Sequence, residues 1–328
     1  MRMVIGTAKG LVTARWVPGE RKAQVVARTL EGEAVQALER SGDRVVAAVG
    51  TGIHVSADGE QWESLPAPGA GGRVSALAAH AHDPNLLLAG TEPAGLFRSA
   101  DGGRTWQEVV GFAALGQAES WGSYGGNEPC VGSVALDPTN QHRLYAGVRI
   151  GGAYRSEDSG ASWVSISEGL FEDVHQLAVD PVDSTRVYAA TGRGLHISRD
   201  RGGSWDTPGG PLGEDYCTAV ETMVESGFRH THLLASSAAT SVAEWSAGKS
   251  AEARLYLSED AGRSWQDVDL SSGPKQKAAL TALADDPQRA EAGFIGTSAG
   301  AVYHGRIVEG QWSRIMSGLS NVMGLIVW

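Results

Sequence analysis

The sequence predicts an all-β protein in which seven four-stranded antiparallel sheets form one closed ring. The first observation is a recurring pattern, S-x-D-x-G-x-[ST]-W. The second is its spacing, because seven tryptophans follow one another at intervals of 46, 44, 57, 42, 60 and 47 residues. A period of this length indicates a repeat array in which each repeat is one sheet. We therefore predict a seven-bladed β-propeller that occupies residues 1–328 as a single domain.

The recurring pattern is predicted to be a turn that stabilises each blade. Its aspartate caps backbone N–H groups, its glycine takes a conformation that other residues resist, and its tryptophan packs between blades. An aspartate that serves a turn in every repeat is not expected to be catalytic. The copies are Ser56–Trp62, which is one residue shorter, Ser99–Trp106, Ser156–Trp163, Ser198–Trp205 and Ser258–Trp265, and Trp16 and Trp312 mark two degenerate copies.

Blade three shows the four predicted strands, A to D, most clearly. Each run has the length of a strand, and Asp-Pro and glycine between the runs favour turns. The same frame fits the other repeats, more loosely in blades two, six and seven. In blade three the strands are Val74–Ala79, Leu86–Gly90, Leu96–Ser99 and Trp106–Val109.

Blade one lacks an A strand of its own. Val4–Thr7 is already its second strand, and the apolar segment Val322–Trp328 remains unassigned at the other end of the chain. We expect this C-terminal segment to pair with blade one as its missing strand. Such pairing closes the ring and covers an exposed sheet edge.

Composition argues against several classes of partner. The net charge of -11 disfavours nucleic-acid binding, which needs a basic face. No apolar run reaches the roughly 18 residues that a membrane span requires. The two cysteines show no CxxC spacing, and the N-terminus lacks the apolar stretch of a signal peptide. We expect a soluble cytoplasmic protein with no nucleic-acid or membrane partner.

These repeats resemble those of the Asp-box (BNR-repeat) β-propellers. The chain is most similar to uncharacterised bacterial members with a single seven-bladed domain. It is more distantly similar to sortilin-type receptors, xyloglucan-degrading glycosidases and photosystem II assembly factors. The resemblance implies the fold but no single function, because one fold hosts unrelated chemistries. The phrases that carry it, besides the turns, are Leu144–Gly147, Gly152–Ser156, Asp173–His175 and Tyr216–Cys217.

A ligand site is predicted on the face opposite the repeated turns. In a propeller the B-to-C and D-to-A connections lie on that face, where the central funnel opens and offers a concave surface. The two longest intervals come from insertions in such connections, at Gly111–Pro129 and Ser237–Ala253. We interpret both as lids over the funnel.

The insertions carry aromatic residues outside the repeat pattern. Trp121 and Trp245 are expected to stack on a sugar or planar ligand, with Tyr124 and Glu128 beside them. The alternative is that each tryptophan only holds its own insertion to the surface.

His175 is the one histidine predicted at the funnel end of an A strand. Beside Asp173, and with Tyr216 on the next blade, it is a candidate general acid or base. The alternative is a structural histidine that is hydrogen-bonded to a loop. The matching positions on the other blades are Gln36, Ser75, Gly132, Thr218, Thr281 and Met323.

Cys130, His175 and Cys217 fall near one another in the same frame. They would form a soft-metal site, or one thiol would act as a nucleophile. Otherwise the cysteines are small buried apolar groups. No cofactor is required by the sequence, and a metal ion is the one alternative.

Three arginines are predicted on the funnel face of neighbouring blades. Arg73, Arg149 and Arg193 would bind the anionic part of a ligand, because a guanidinium pairs well with carboxylate or phosphate. With Tyr216 they are similar to the sialidase arrangement, although sialidases form six blades and the N-terminus here has no matching arginine segment. The alternative is surface arginines that pair with neighbouring acids such as Glu92.

Two hypotheses of function remain open. The first is a protein that binds or processes a polar or anionic, sugar-like molecule in the funnel. Hydrolysis or elimination fits it better than redox chemistry, since no dinucleotide-binding glycine motif is present. Xyloglucanases place paired carboxylates between two propellers, whereas this chain has length for one, so an acid-base pair would combine Glu128 with Asp173 or Asp215. The second is a protein-binding scaffold or assembly factor without catalytic activity.

Overall fold

The fold is a seven-bladed β-propeller of four-stranded antiparallel sheets, as the repeats predict. The computed structural model describes residues 1–69, 71–118, 121–122, 128–223, 231–274, 277–289 and 291–328.

The strands follow the predicted A-to-D order in each sheet. Sheet 1 contains β1 (Arg2–Thr7), β2 (Gly10–Arg15), β3 (Gln24–Thr29) and β27 (Val322–Val327). Sheet 2 contains β4 (Val35–Ser41), β5 (Arg44–Val49), β6 (Gly52–Ser56) and β7 (Glu63–Leu65). Sheet 3 contains β8 (Arg73–His80), β9 (Asp83–Glu92), β10 (Leu96–Ser99) and β11 (Gln107–Glu108). Sheet 4 contains β12 (Cys130–Asp137), β13 (Asn140–Arg149), β14 (Gly152–Ser156) and β15 (Val164–Ser165).

The remaining sheets lie in the second half of the chain. Sheet 5 contains β16 (Val174–Val179), β17 (Val187–Thr191) and β18 (Gly194–Ser198), and a single bridge between Ile197 and Asp206 stands in place of its fourth strand. Sheet 6 contains β19 (Tyr216–Met223), β20 (His232–Ala238), β21 (Arg254–Ser258) and β22 (Gln266–Asp267). Sheet 7 contains β23 (Leu280–Asp285), β24 (Ala292–Thr297), β25 (Val302–Arg306) and β26 (Gln311–Met316).

Short helices occupy parts of both insertions. Helix α1 (Val110–Ala118) follows β11, helix α2 (Val242–Ser246) follows β20, and a 3-10 turn covers Pro211–Gly213. The first insertion is therefore not an open loop where it is described. Phe112 of α1 is fully buried in the core shared by sheets 3 and 4, and this burial favours a helix over an irregular segment.

The chain divides into two compact units. The first consists of Met1–Val35, Gly192–Leu195 and Thr207–Trp328 and carries sheets 1, 6 and 7. The second consists of Gln36–Thr191 and His196–Asp206 and carries sheets 2, 3 and 4 with most of sheet 5. That the chain is one domain stays a prediction.

The C-terminal strand completes sheet 1, as predicted. β27 runs antiparallel to β1, with Ile5 opposite Leu325 and Met3 opposite Val327. The pairing continues beyond the strand, because Arg2 donates its backbone N–H to the carbonyl of Trp328 at 2.7 Å. The same side chains lie in the core between sheets 7 and 1. This strand therefore joins the two ends of the chain within one unit.

The repeated turns have the predicted hydrogen bonds. At Ser99–Trp106, Asp101 Oδ1 accepts the backbone N–H of Thr105 at 2.9 Å, and its Oδ2 accepts the Thr105 hydroxyl at 2.6 Å. The Ser99 hydroxyl donates to Asp101 and accepts the N–H of Gly103, both at 2.8 Å. These bonds, led by the one from the Thr105 hydroxyl, lower the pKa of Asp101 to about 2. The aspartate is thus engaged by its own turn.

The tryptophan of this turn reaches the preceding blade. Trp106 donates its indole N–H to the carbonyl of Pro66, beyond the last strand of sheet 2, at 3.1 Å. It also packs on the core between sheets 2 and 3. Elsewhere in this unit the blades approach so closely that a side chain has no room: a Cβ at Gly90 would lie 2.5 Å from Cγ1 of Val131. The tryptophan and the glycine together fix the spacing of neighbouring sheets.

Candidate functional site

The A strands share a β-bulge close to their first residue. In sheets 3 to 7 one extra residue interrupts the pairing of the A strand with the B strand. The bulge lies where the A strand starts and the B strand ends, which we call the funnel end of a sheet. Bulges redirect side chains and are frequent beside active sites. The bulge residues are Ser75, Gly132, His175, Thr218 and Thr281, the positions that the sequence frame matched to His175.

The hydroxyl-bearing bulge residues join neighbouring blades. Ser75 donates to the carbonyl of Val131 at 2.7 Å, within the second unit. Thr281 donates to the carbonyl of Val322 at 2.5 Å, within the first unit. Thr218 donates in the same way to Leu280 at 2.8 Å. At these positions the side chain therefore has a structural role.

His175 forms a different contact at the same position. Its Nε2 lies 3.1 Å from Oδ2 of Asp173, and the two side chains are 10% and 3% exposed. Because a buried carboxylate is costly unless it is hydrogen-bonded, the imidazole N–H stabilises Asp173. The acid and the base therefore lie within hydrogen-bonding distance, and their catalytic role stays a prediction.

The backbone before β16 holds the pair in place. The carbonyl of Glu172 accepts the N–H groups of Gly151 at 3.2 Å and Gly152 at 2.9 Å, at the B-to-C connection of sheet 4. Asp173 therefore sits on a segment anchored to the neighbouring sheet rather than on a free loop. Such anchoring fixes the direction of the carboxylate relative to His175.

An aromatic pair lies at the funnel end of sheet 6. Tyr216, the first residue of β19, meets Trp245 of α2 edge to face, with ring centroids 5.6 Å apart. Both side chains are partly exposed, and Trp245 also packs on the core of sheets 6 and 7. The second insertion is thus held down by Trp245, which still presents part of its ring to solvent.

Asp215 precedes this aromatic pair and is partly buried. Burial raises the pKa of its carboxyl above the usual range for an aspartate, although Arg254 opposes the shift. A carboxyl whose protonated form is favoured is suited to donate a proton.

The three predicted arginines are all exposed, and their surroundings differ. Arg73 pairs with Glu92, which supports the alternative of a surface ion pair for this residue. Arg149 lies across the bulge of sheet 4, where a Cβ at Gly132 would approach its Cγ to 2.7 Å. Arg193 lies in the first unit, and Arg73 and Arg149 lie in the second. Their convergence on one ligand stays a prediction.

Trp121 is fixed by the sheet beneath it. Its indole N–H donates to the hydroxyl of Tyr154 at 2.9 Å, and that hydroxyl donates to the carbonyl of Gly151 at 2.9 Å. The indole also packs on Phe112, with centroids 5.3 Å apart. These contacts are those of an aromatic residue that holds its own insertion in place. A ligand contact for the exposed part of Trp121 stays a prediction.

Two further predicted ligand residues flank this insertion. Tyr124 lies outside the described residues. Glu128 is exposed, two residues before β12. Neither its contact with a ligand nor its pairing with another carboxylate follows from its position.

The two cysteines, the candidates for a soft-metal site or a nucleophilic thiol, are both buried. Cys217 is fully buried, and burial raises the pKa of its thiol to about 12, so the thiolate is scarce at neutral pH. Cys130 is 9% exposed. Among the residues whose positions are described, no group of three histidine, cysteine or acidic side chains is arranged to hold a metal ion. The burial of Cys217 disfavours a nucleophilic thiolate at neutral pH, and both the metal site and the thiol chemistry stay predictions.

Sequence reasoning also missed a cavity at the funnel end of sheet 1. Its volume is about 350 Å³, and its lining includes Lys9, Arg28 and Glu31. The missed signal is the presence of three charged residues around the two connections of one blade, at Thr7–Gly10 and beyond Thr29.

The sequence is similar to one family model and to several known proteins. Residues 151–272 match the family model Sortilin-Vps10, described as sortilin, neurotensin receptor 3. An oligoxyloglucan-reducing end-specific xyloglucanase of Emericella nidulans is 25% identical over 231 residues, which are 60% of this chain and 27% of the relative. All of these relatives point to a β-propeller family.

Solved structures agree with this fold. The GH74 xyloglucanase from Xanthomonas campestris superposes with a TM-score of 0.69 at 22% identity, over 96% of this chain and 52% of that chain. YCF48 bound to D1 peptide gives a TM-score of 0.54 at 13% identity, over 85% of this chain and 81% of that chain. At these identities the likeness concerns the fold alone. The chain spans about half the length of the solved xyloglucanase and about a quarter of the fungal one.

No helix in the described part of the chain has the length and apolar character to cross a membrane.

Proposed function

We propose that this protein binds a sugar-like polar molecule at the funnel ends of its sheets and acts on it by hydrolysis or elimination. Asp173 and His175 transfer protons to and from the ligand, and Tyr216 assists them. The observation that carries the proposal is the buried contact of His175 with Asp173 at the bulge of sheet 5.

A structural role alone explains this pair poorly. In sheets 3, 6 and 7 a serine or threonine at the bulge joins two blades through one hydroxyl. Burying a carboxylate beside an imidazole costs more than burying a hydroxyl that has a partner. A paired acid and base at a bulge is the arrangement expected where protons are transferred.

The sugar-like ligand is supported by the relatives and by the aromatic side chains. The curated relatives are xyloglucanases, whose names state that they act on xyloglucan. Tyr216 and Trp245 present partly exposed rings that suit stacking on a sugar. Asp215, whose pKa is raised by burial, is a further carboxyl next to Tyr216. The remaining predicted contacts are Arg73, Arg149, Arg193, Trp121, Tyr124 and Glu128.

The test is turnover of sugars by the intact chain. Purified protein is incubated with xyloglucan oligosaccharides and with chromogenic aryl glycosides, and products are followed by chromatography and absorbance. We expect His175→Ala and Asp173→Asn to lower kcat by about 100-fold or more, as loss of a general acid or base does. Ser75→Ala, which removes the equivalent bulge side chain of sheet 3, is the matched control and should retain kcat. If the wild-type protein neither binds nor turns over any of these sugars, the proposal is refuted.

A protein-binding scaffold is the second candidate. Trp121 is engaged by its own sheet, and the structural neighbour YCF48 is bound to a peptide. Met323 is the extra residue of a bulge where β27 pairs with β1 in sheet 1, and its side chain is 40% exposed. An apolar side chain exposed beside a bulge suits contact with a polypeptide better than contact with a sugar. Binding of peptides without turnover of any sugar, weakened by Met323→Asp, would favour this function over the first.

The expected cytoplasmic location and the absence of nucleic-acid partners are part of the same proposal. The cytoplasmic location is supported by the content of only two cysteines, too few for a disulfide framework, and the absence of nucleic-acid partners by the net charge of -11.

A further inference from the structure

The cavity of sheet 1 is lined by none of the residues to which the proposed function assigns a role. It lies wholly within the first unit, at the funnel end of the blade that the C-terminal strand completes. Its walls come from the connection between β1 and β2, from the end of β3, and from the segment before β27. Its volume of about 350 Å³ lies at the small end of the range of about 300–1,000 Å³ for small-molecule sites.

Hydrogen bonds of the backbone fix these walls. The hydroxyl of Thr7 donates to the carbonyl of Gly10 at 2.8 Å and accepts the N–H of Lys9 at 3.1 Å. Gly32 donates its N–H to the carbonyl of Lys9 at 3.3 Å, which ties the connection after β3 to the connection after β1. Leu30 there has a φ of 50°, a left-handed conformation that turns the chain sharply before Glu31.

The opposite wall is equally constrained. Ala8 donates its N–H to the carbonyl of Asn321 at 2.9 Å, and Leu319 donates to the carbonyl of Gly300 at 3.1 Å. The φ of Gly300 is 73°, and a Cβ at this position would overlap the carbonyl of Leu319. The close approach of these two backbone segments therefore requires glycine. The cavity is therefore built by fixed backbone and is not a gap between loose side chains.

The cavity is lined by charged groups that do not neutralise one another. Lys9 and Arg28 are cationic and Glu31 is anionic, and no ion pair joins any two of them in the described structure. Ser320 also lines the cavity, and its buried Oγ has no hydrogen-bond partner among the described residues. A polar group in this state is normally satisfied by a partner.

The charges define the class of ligand. Two cations and one carboxylate leave a net charge of +1, which a singly charged anion balances and a zwitterion does not. A guanidinium and an ammonium that line the same cavity suit a carboxylate, whereas Glu31 and Ser320 suit hydroxyl groups. We propose that this cavity is a second binding site, and that it takes a small hydroxylated carboxylate of the size of a sugar acid.

The test is a titration of the full chain at low ionic strength, by calorimetry. The probes are D-glucuronate and D-galacturonate, with D-glucose, glycine and inorganic phosphate as comparisons. We expect saturable binding of at least one sugar acid and much weaker binding of the three comparisons. Lys9→Ala and Arg28→Ala should each weaken that binding by about tenfold or more, since each removes a charge-assisted hydrogen bond.

A matched variant separates local contact from net charge. Arg28→Glu should abolish binding, whereas Arg21→Glu, an exposed arginine of the same blade outside the cavity, should leave it within about twofold. Equal loss in both variants, no binding of either sugar acid, or binding of phosphate or glycine as tight as that of the sugar acids would overturn the proposal. His175→Ala should not affect this binding, so failure here and failure of the proposed function are distinguishable.

Discussion

Leu325 offers a direct test of how the C-terminal strand supports the protein. It lies opposite Ile5 in the pairing of β27 with β1, and its side chain is 7% exposed within the core of sheets 7 and 1. Truncation of a buried leucine to alanine costs about 2–5 kcal/mol, because burial is lost and a cavity remains. We expect Leu325→Ala to lower the free energy of unfolding by about 3 kcal/mol, in the middle of that range.

The measurement is equilibrium unfolding in urea, followed by tryptophan fluorescence. Met323→Ala is the matched control on the same strand, because its side chain is 40% exposed and should change the free energy of unfolding by no more than about 0.5 kcal/mol. The slope of the transition should be unchanged in both variants. A loss below about 1 kcal/mol for Leu325→Ala, or equal losses in the two variants, would show that the closing strand contributes little to stability.

Three further predictions concern titratable groups. Asp101→Asn should lower the unfolding midpoint at neutral pH. Because the pKa of Asp101 in the folded protein is about 2, below its usual 3.8, its contribution to stability is fully present above pH 3.8 and is lost as the pH falls through about 2. In a pH series of thermal melts the difference from wild type should therefore shrink below pH 3.8 and vanish only below about pH 2. Glu39 is partly buried, and burial raises the pKa of its carboxyl from 4.5 to about 8. The protonated carboxyl stabilises the folded protein, and this contribution is lost as the pH rises from 4.5 through 8. By chemical unfolding, Glu39→Gln should be more stable than wild type by about 1 kcal/mol or more at pH 9 and should have the same stability as wild type at pH 4. Cys217 is fully buried and its pKa is about 12, so it should not react with an aromatic disulfide reagent at pH 7.5 in the folded protein. It should react after unfolding. Rapid labelling of Cys217 in the native chain, located by mass spectrometry, would contradict its burial.

The fold was predictable because its signals are local and repeated. The aspartate of each turn binds N–H groups within four residues, as at Asp101 and Thr105, so the pattern alone indicates the turn. The period of the tryptophans then gives the number of blades, and an unpaired apolar segment at the C-terminus identifies the closing strand. Alignment of the blades also placed His175 at the bulge position.

The sites were less predictable, because they depend on contacts between distant residues. Nothing in the pattern around Trp121 indicates that its indole N–H meets the hydroxyl of Tyr154, 33 positions further along the chain. The helix that buries Phe112 depends on the core of sheets 3 and 4. The cavity of sheet 1 brings Lys9 and Ser320 together from opposite ends of the sequence, through the pairing of β27 with β1.

The central claim, that Asp173 and His175 act on a sugar-like ligand, is tested most directly by the pH dependence of sugar turnover. Initial rates on a xyloglucan oligosaccharide are measured from pH 4 to pH 9 for the wild-type protein and for His175→Gln. We predict that the turnover rate of the wild-type protein changes with pH, because the reaction depends on the ionisation of a catalytic group. In His175→Gln this pH dependence should be lost and kcat should be strongly lowered. The same profile and the same kcat in both proteins would contradict the claim.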